Sequence, residues 1–489
     1  MATFFSENFG VDPAVLEKHG AFNISLVTDL PLFIDPFLLF NSKKQQYQEL
    51  HERIIRYLVF LKGKATSGTI NAALLKAWYC FPEVKQTWLG FSVDGNAGTG
   101  LGPDFAHALH QNLHKLFPTF GKEQITRGSH LEKLCLIREG VGRDNISDFT
   151  TNLIKGFLCE FTQKFALNCL NENQRRAISV PGTTFNYETE VWASERYTLP
   201  WINGDYVLLT PKDLLTRDDN WINRDDLIDG FEEIPSAIPD DELRAQVSNY
   251  FERVLARRKD QEPSKKERGE AAVKTIFEFP DLIDYYIRYK EEHGDEAASL
   301  SSKKVSFAEW MFIQQLTNLQ STLNKETAFY KTGIGTYKEA HTRLAYLKDV
   351  IENKGGYRAF WSGAGPIARE QDLQIMYRLV WIGTPSDVST EVNDGRGPAD
   401  FKISRGAKDK TIVELKLAKN TQLRRNLQRQ AETYQKASDA KRAIKGILFF
   451  NAQERVRVTK ILKELELTNS PDIVLIDARK DNKPSGSKA

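Results

Sequence analysis

The stretch GRGPADFKISRGAKDKTIVELKLAKN, residues 395–420, constrains this chain more than any other. Two runs within it, PADFKIS and TIVELKL, are rich in apolar and β-branched residues and bounded by turn material, which predicts two strands joined through RGAKDK. Three of the charges in these strands, Asp400, Glu414 and Lys416, land where one hairpin brings them together. A charge in a buried strand costs stability unless it is paired, solvated or bound to a metal. Alternate residues of a strand share a face, so Glu414 and Lys416 point one way while Val413, Leu415 and Leu417 point the other. Paired as an antiparallel hairpin, the strands bring Asp400 across from Glu414. Two carboxylates so placed form an oxygen site for a hard divalent cation such as Mg²⁺, and the Leu415 carbonyl could add another oxygen. Lys416, on the same face, offers an ammonium able to orient water or neutralise developing negative charge. The plainer alternative is an Asp400–Lys416 ion pair at a sheet edge, which leaves Glu414 unexplained.

The flanking segments extend the pattern. AREQDLQIMYRLVW reads as a helix, DVSTEV as a strand, and TQLRRNLQRQAETYQKA as a helix with Leu423, Leu427, Gln430 and Tyr434 on one face. KGILFF is a further strand, VTKILKEL a helix and DIVLI a last strand. The order is α-β-β-β-α-β followed by α-β: three strands joined by short turns, then a crossover helix back to the sheet. Charge supports a distinct C-terminal unit. The whole chain carries +2, yet residues 361–489 hold 24 Lys and Arg against 16 Asp and Glu, a balance of +8 that leaves −6 for the rest. A basic unit on an acidic chain suits a polyanion partner, or a merely solvated basic surface.

GPAD ending at Asp400, followed by ELK at 414–416, resembles the signature of the PD-(D/E)XK nuclease superfamily, and the α-β-β-β-α-β order is similar to that superfamily's core. Gln430-Ala-Glu-Thr-Tyr434 resembles the QxxxY element of its exonuclease-type branch. Ala399, rather than proline, immediately precedes the aspartate. The resemblance covers residues 361–480. It implies a restriction-endonuclease-like fold with a mixed sheet and metal-dependent hydrolysis of phosphodiester bonds, with Mg²⁺ or Mn²⁺ as cofactor. By it, Asp400 and Glu414 hold the metal, Glu370 on the first core helix completes the site, and Lys416 acts on the water or the developing charge. Glu391 ranks below Glu370 as a ligand. Gln430 and Tyr434 position a phosphate or brace the site, and Arg424, Arg425 and Arg429 contact phosphates. The expected substrate is DNA. By fold-level analogy the role is bacterial defence against phage or plasmids, with the preceding residues sensing a trigger, assembling a homo-oligomer or meeting a regulatory partner. The competing reading is a nucleic-acid-binding or scaffold protein on a catalytically weak nuclease fold.

Ahead of this unit the chain reads as a mainly helical region over 1–180, a mixed α/β segment over 181–250 and a helical region with a charged linker, KDQEPSKKERGE, over 251–355; the nuclease-like domain occupies 356–489. HERIIRYLVFLKG, TINAALLKAWYCF, DFAHALHQNLHKLF and SDFTTNLIKGFLCEFTQKFALNCL carry helical spacing, with starts expected at Asp104 and Ser147. TTFNYETEVWA, RYTLPWI and DYVLLT read as short strands. The four cysteines lack metal-site spacing and are expected to be reduced thiols of a cytoplasmic protein. No signal peptide or membrane span is indicated. His107, His110 and His114 share a helix face but are spread too far along it to converge on a metal. The glycines at 95, 98, 100 and 102 lack the ending of a phosphate-binding loop. RDDNWINRDD does not have the spacing of a calcium loop.

Overall fold

In the computed structural model the described residues are 3–66, 70–90, 100–116, 120–137, 143–217, 219–255, 263–331, 335–362, 365–381, 386–393, 398–405, 409–428 and 442–483. The protein is of mixed α/β class: a mainly helical N-terminal region with small sheets, then a C-terminal mixed sheet with helices. Among the described residues no helix is long and apolar enough to cross a membrane.

The first long helix, α1 (Gln45–Thr66), turns Tyr47, Leu50, Ile54, Leu58 and Leu61 inward at the spacing of an amphipathic helix. Among the helices that follow are α2 (Pro103–Leu116), α3 (Arg143–Leu153) and α4 (Lys155–Cys169). A long hairpin, β1 (Arg175–Asn186) and β2 (Val191–Ile202), packs against them. Aromatic side chains fill the seam and satisfy their polar ends: the Trp192 indole donates to the Tyr57 hydroxyl at 3.2 Å, and that hydroxyl donates to the Trp78 carbonyl at 2.9 Å.

Local readings shift at three places. TTFNYETEVWA is not one strand. The chain reverses between β1 and β2 because Asn186 accepts from the backbone N–H groups of Glu188 and Thr189, and Glu190 takes a positive φ of 57°. Ser147 does not start a helix; α3 begins four residues earlier, and the buried Ser147 hydroxyl accepts from the Ile34 N–H at 2.9 Å. From DYVLLT only Asp205–Tyr206 forms strand, while Leu208 donates to the Gln86 carbonyl instead of a sheet partner. Of the charged linker KDQEPSKKERGE at 259–270, residues 259–262 lie outside the described residues, while Lys265–Glu270 are the opening of a helix that starts on a capping box made by Ser264 and Glu267.

Helices α5 (Asp241–Val254), α6 (Lys265–Glu278), α7 (Leu282–Glu292) and α8 (Gly294–Glu309) lead into a π-helical turn at Trp310–Gln315, then α9 (Leu316–Glu326). Helix α10 (Thr336–Asn353) and helix α11 (Glu370–Val380) come next and lie against the C-terminal sheet. The strands are β3 (Asp387–Asn393), β4 (Pro398–Arg405), β5 (Asp409–Leu417), β6 (Arg442–Phe449) and, after α12 (Ala452–Glu464), β7 (Ile473–Asp477). They are ordered β7-β6-β5-β4-β3, antiparallel from β3 to β5 and parallel from β5 to β7.

One face of this sheet is apolar. Phe401, Ile403, Val413, Leu415, Ile444 and Leu448 join the main core beneath α10 and α11. Gly446 lets α10 come close: a Cβ there would lie 2.6 Å from Leu415 Cδ2 and 3.5 Å from Leu344 Cδ2. The other face has its own smaller core, in which Ile447 and Phe449 pack with Leu423 and Leu427 from the helical residues 423–428 after β5 and with Val458, Ile461 and Leu462 of α12.

Candidate active site

On β5 both faces are covered, so burial does not alternate. Every residue from Thr411 to Leu417 is buried, the charged ones included: Glu414 is 1% exposed and Lys416 8%. The β4–β5 register runs from Asp409–Arg405 to Val413–Phe401, and Asp400 and Glu414 are the next residues along the two strands. The side chains of Asp400 and Glu391 lie outside the described residues, as do Arg429, Gln430 and Tyr434 in their entirety.

Glu370 is the first residue of α11 and meets the carboxyl end of β5. Its Oε1 accepts from the Leu417 N–H at 3.2 Å and from the Asn420 amide at 2.7 Å, and its Oε2 lies 3.6 Å from Lys416 Nζ. These contacts fix the carboxylate on the turn that ends the catalytic candidate strand. The turn is held from the far side by Arg457 of α12, whose guanidinium donates to the carbonyls of Ala418, Lys419 and Asn420 at 3.2, 3.1 and 2.8 Å. Such multidentate contacts suit the fixed fork of arginine.

A fourth charge was not singled out from the sequence. In the parallel pairing of β5 with β6, Glu414 stands opposite Lys445, which is 5% exposed. Burial holds the Lys445 ammonium below its ordinary pKa; Lys416 adds to that, while Glu414 and Asp472 oppose it. The buried face of β5 and β6 thus carries Glu414 between two lysines. The signal was present in KGILFF, a lysine in an otherwise apolar strand, but its neighbour depends on a parallel register set across the crossover.

The basic residues proposed for phosphate contact are divided. Arg424 is exposed and pairs with Glu464 at 2.8 Å, and Arg425 is exposed on the same turn. The histidine row in α2 does not form a metal site among its described members: His107 is exposed, and His110 packs edge-on against the Tyr79 ring with its Nδ1 3.3 Å from the Tyr79 hydroxyl, whereas the His114 side chain lies outside the described residues. Gly95, Gly98 and Asp218 lie outside them too. Gly100 has a steric reason to be glycine, with φ of +62° and the Glu83 backbone nitrogen 2.4 Å from where a Cβ would sit. Asp219 accepts from Arg143 at 3.0 Å, and Asp225 lies in the first turn of a short helix capped by Asn223. All four cysteines are free thiols. Among the described residues no three or more His, Cys, Asp or Glu side chains are arranged to hold a metal ion.

Residues 10–223 match a domain of unknown function, DUF8370, and residues 336–452 match a second, DUF8371. The second match takes in α10, α11 and strands β3 to β6, and with them Glu370, Glu414, Lys416 and Lys445. No curated protein and no solved structure matches the chain.

Proposed function

We propose that the C-terminal unit is a metal-dependent nuclease of the PD-(D/E)XK kind that hydrolyses phosphodiester bonds in DNA. The observation that carries this reading is the grouping of Glu414 and Lys416 on one buried sheet face with Glu370 anchored 3.6 Å from the lysine. Evolution of a stable core alone would favour apolar residues at 414 and 416, since burying a charge costs several kcal/mol even when it is paired. The strand order, with an antiparallel β3–β4–β5 meander followed by parallel β6, supports the same reading.

The donors fit a hard cation by chemistry. Glu414 and Glu370 are carboxylates, and Asp400 is the next residue of β4 past the pair formed with Val413. These three would hold Mg²⁺ or Mn²⁺, which when bound supplies Lewis-acid polarisation of a phosphate oxygen and a more acidic water. The chain's own residues do the rest. Lys416, restrained by Glu370, presents its ammonium to the phosphate or to the attacking water. Lys445 balances the charge of Glu414, and Asn420 and Arg457 keep Glu370 in place. Arg424 and Arg425, on the outer turn, meet the phosphate backbone, where contacts position the duplex without reading bases. The N-terminal region restrains the nuclease or brings copies or a regulatory partner together, as a defence effector requires.

The test is cleavage of supercoiled and linear plasmid by the full chain with Mg²⁺, Mn²⁺ or EDTA, beside Lys416→Ala and Asp400→Ala. Metal-dependent cutting lost in both variants supports the reading, with nicking or end-trimming separating endonuclease from exonuclease. Cutting indifferent to both substitutions overturns it, and binding without cutting turns the case toward a scaffold.

A further inference from the structure

Helix α11 is gripped from both sides near its start. Glu370 touches the candidate site, and Asp372, two residues on, makes a buried ion pair with Arg217 of the N-terminal region. Two residues turn a helix by about 200°, so the two carboxylates leave α11 in nearly opposite directions while only about 3 Å apart along its axis. Arg217 belongs to the DUF8370 segment and Asp372 to the DUF8371 segment, so the pair joins the two.

Arg217 is itself held firmly. The strand before it, Leu215–Thr216, pairs with Phe33–Ile34, and Asp35, the next residue, accepts from the Trp221 N–H at 2.7 Å. Its guanidinium lies over the rings of Phe307 at 4.9 Å and Phe312 at 5.7 Å, the latter inside the π-helical turn. Arg217 and Asp372 are each less than a tenth exposed, where an ion pair is screened little and losing one partner strands the other. A surface link would give way easily; this one does not.

We infer that Arg217 is a positioning residue for the nuclease site: through Asp372 and the rigid first turn of α11 it sets where Glu370 stands, so that a change in the N-terminal region alters metal binding and cutting. This rests on the nuclease reading above. No path of side chains from Arg217 to the site is needed other than α11 itself, because one short helix carries both carboxylates.

The experiment uses the full chain with Arg217→Met, Arg217→Lys and Asp372→Asn, and reads three quantities. The first is hydrogen exchange of the amides in 370–380 without metal. The second is the Mg²⁺ concentration for half-maximal plasmid cleavage, and the third the maximal cleavage rate. Expected for Arg217→Met are faster exchange confined to α11 and a Mg²⁺ requirement raised about 5- to 150-fold, with Arg217→Lys recovering much of both. Should Arg217→Met not fold, Asp372→Asn, which keeps volume and loses the charge, must show the same two changes. Folded variants with unchanged exchange and unchanged Mg²⁺ requirement overturn the inference. Loosened α11 in a protein whose cutting ignores Lys416→Ala and Asp400→Ala supports the mechanical link and overturns only the nuclease reading.

Discussion

Two glutamates, Glu132 in the N-terminal region and Glu414 on β5, are both almost fully buried, and their surroundings differ in kind. Glu132 sits in a nest with Asp35, His51 and His130. The two imidazoles lie 5.8 Å apart and both contact the Phe40 ring, and His130 turns its Nε2 to Glu291 at 2.8 Å. Glu132 Oε2 lies 4.0 Å from His130 Nδ1. Burial drives Glu132 well above the usual carboxylate range, with Asp35 adding to the rise, and Asp35 itself is pushed up to about 6, chiefly by burial. His51 is driven down to about 3 by burial and by His130. In this nest burial works against the charged forms of Glu132, Asp35 and His51 alike. Glu414 instead stands between two ammonium groups, Lys416 along the strand and Lys445 across it. Neighbouring ammonium groups favour the charged form of a carboxylate, which is what a site for a cation and a phosphate requires.

The sharpest way to break this comparison is to make the two glutamates isosteric amides. Glu414→Gln is expected to cut metal-dependent cleavage by at least ~100-fold, comparable with the loss of a charged transition-state contact, while Glu132→Gln leaves cleavage at the wild-type rate. A plasmid assay on both proteins checks it, and equal losses would show that the distinction is only one of stability. Next in size is Gly446→Ala, which disturbs the apolar face of the same sheet. The added methyl would press on Leu415, and the expected cost is ~1–3 kcal/mol in denaturant unfolding, with the Mg²⁺ dependence of cleavage unaltered.

Asp148 sharpens the contrast through pH. It hydrogen-bonds with Glu83 and is raised to about 9, first by burial and then by the charges of Glu83 and Asp144. The folded protein therefore holds this proton more tightly than the unfolded chain, whose aspartate titrates near 4. Stability falls as pH rises from about 4 toward 9, because over that window folding must take up a proton. Asp148→Asn, which still donates to Glu83, should raise the thermal midpoint at pH 8 and leave it unchanged at pH 4; a gain independent of pH would refute the assignment. The smallest effect belongs to Glu132→Gln: burial and Asp35 both disfavour the charged form in the fold, so an amide of the same shape should leave the unfolding midpoint at pH 8 equal to or slightly above the wild type.

How much of this was legible in advance follows from distance along the chain. The strands PADFKIS and TIVELKL, the side-by-side direction of Glu414 and Lys416 and the helix beginning at Glu370 are consequences of local periodicity, and they read correctly from 395–420 and its neighbours. The reversal at Tyr187–Glu190 was missed although Asn186 is a turn former, because apolar residues continue on both sides of it. Ser147 looked like a helix cap, but the same hydroxyl was taken by the Ile34 backbone, 113 residues away.

The sequence by itself determined the α/β class, the helical character of the first region, the strands of the last, and the charges those strands must accommodate, since each depends on residues only two to four positions apart. Tertiary structure alone decided that Lys445 faces Glu414, that Arg457 closes the turn beneath Glu370, and that Arg217 reaches Asp372 across 155 positions. Parallel register and buried ion pairs are settled by how separate elements pack, and no local pattern encodes which distant charge will be left to answer which.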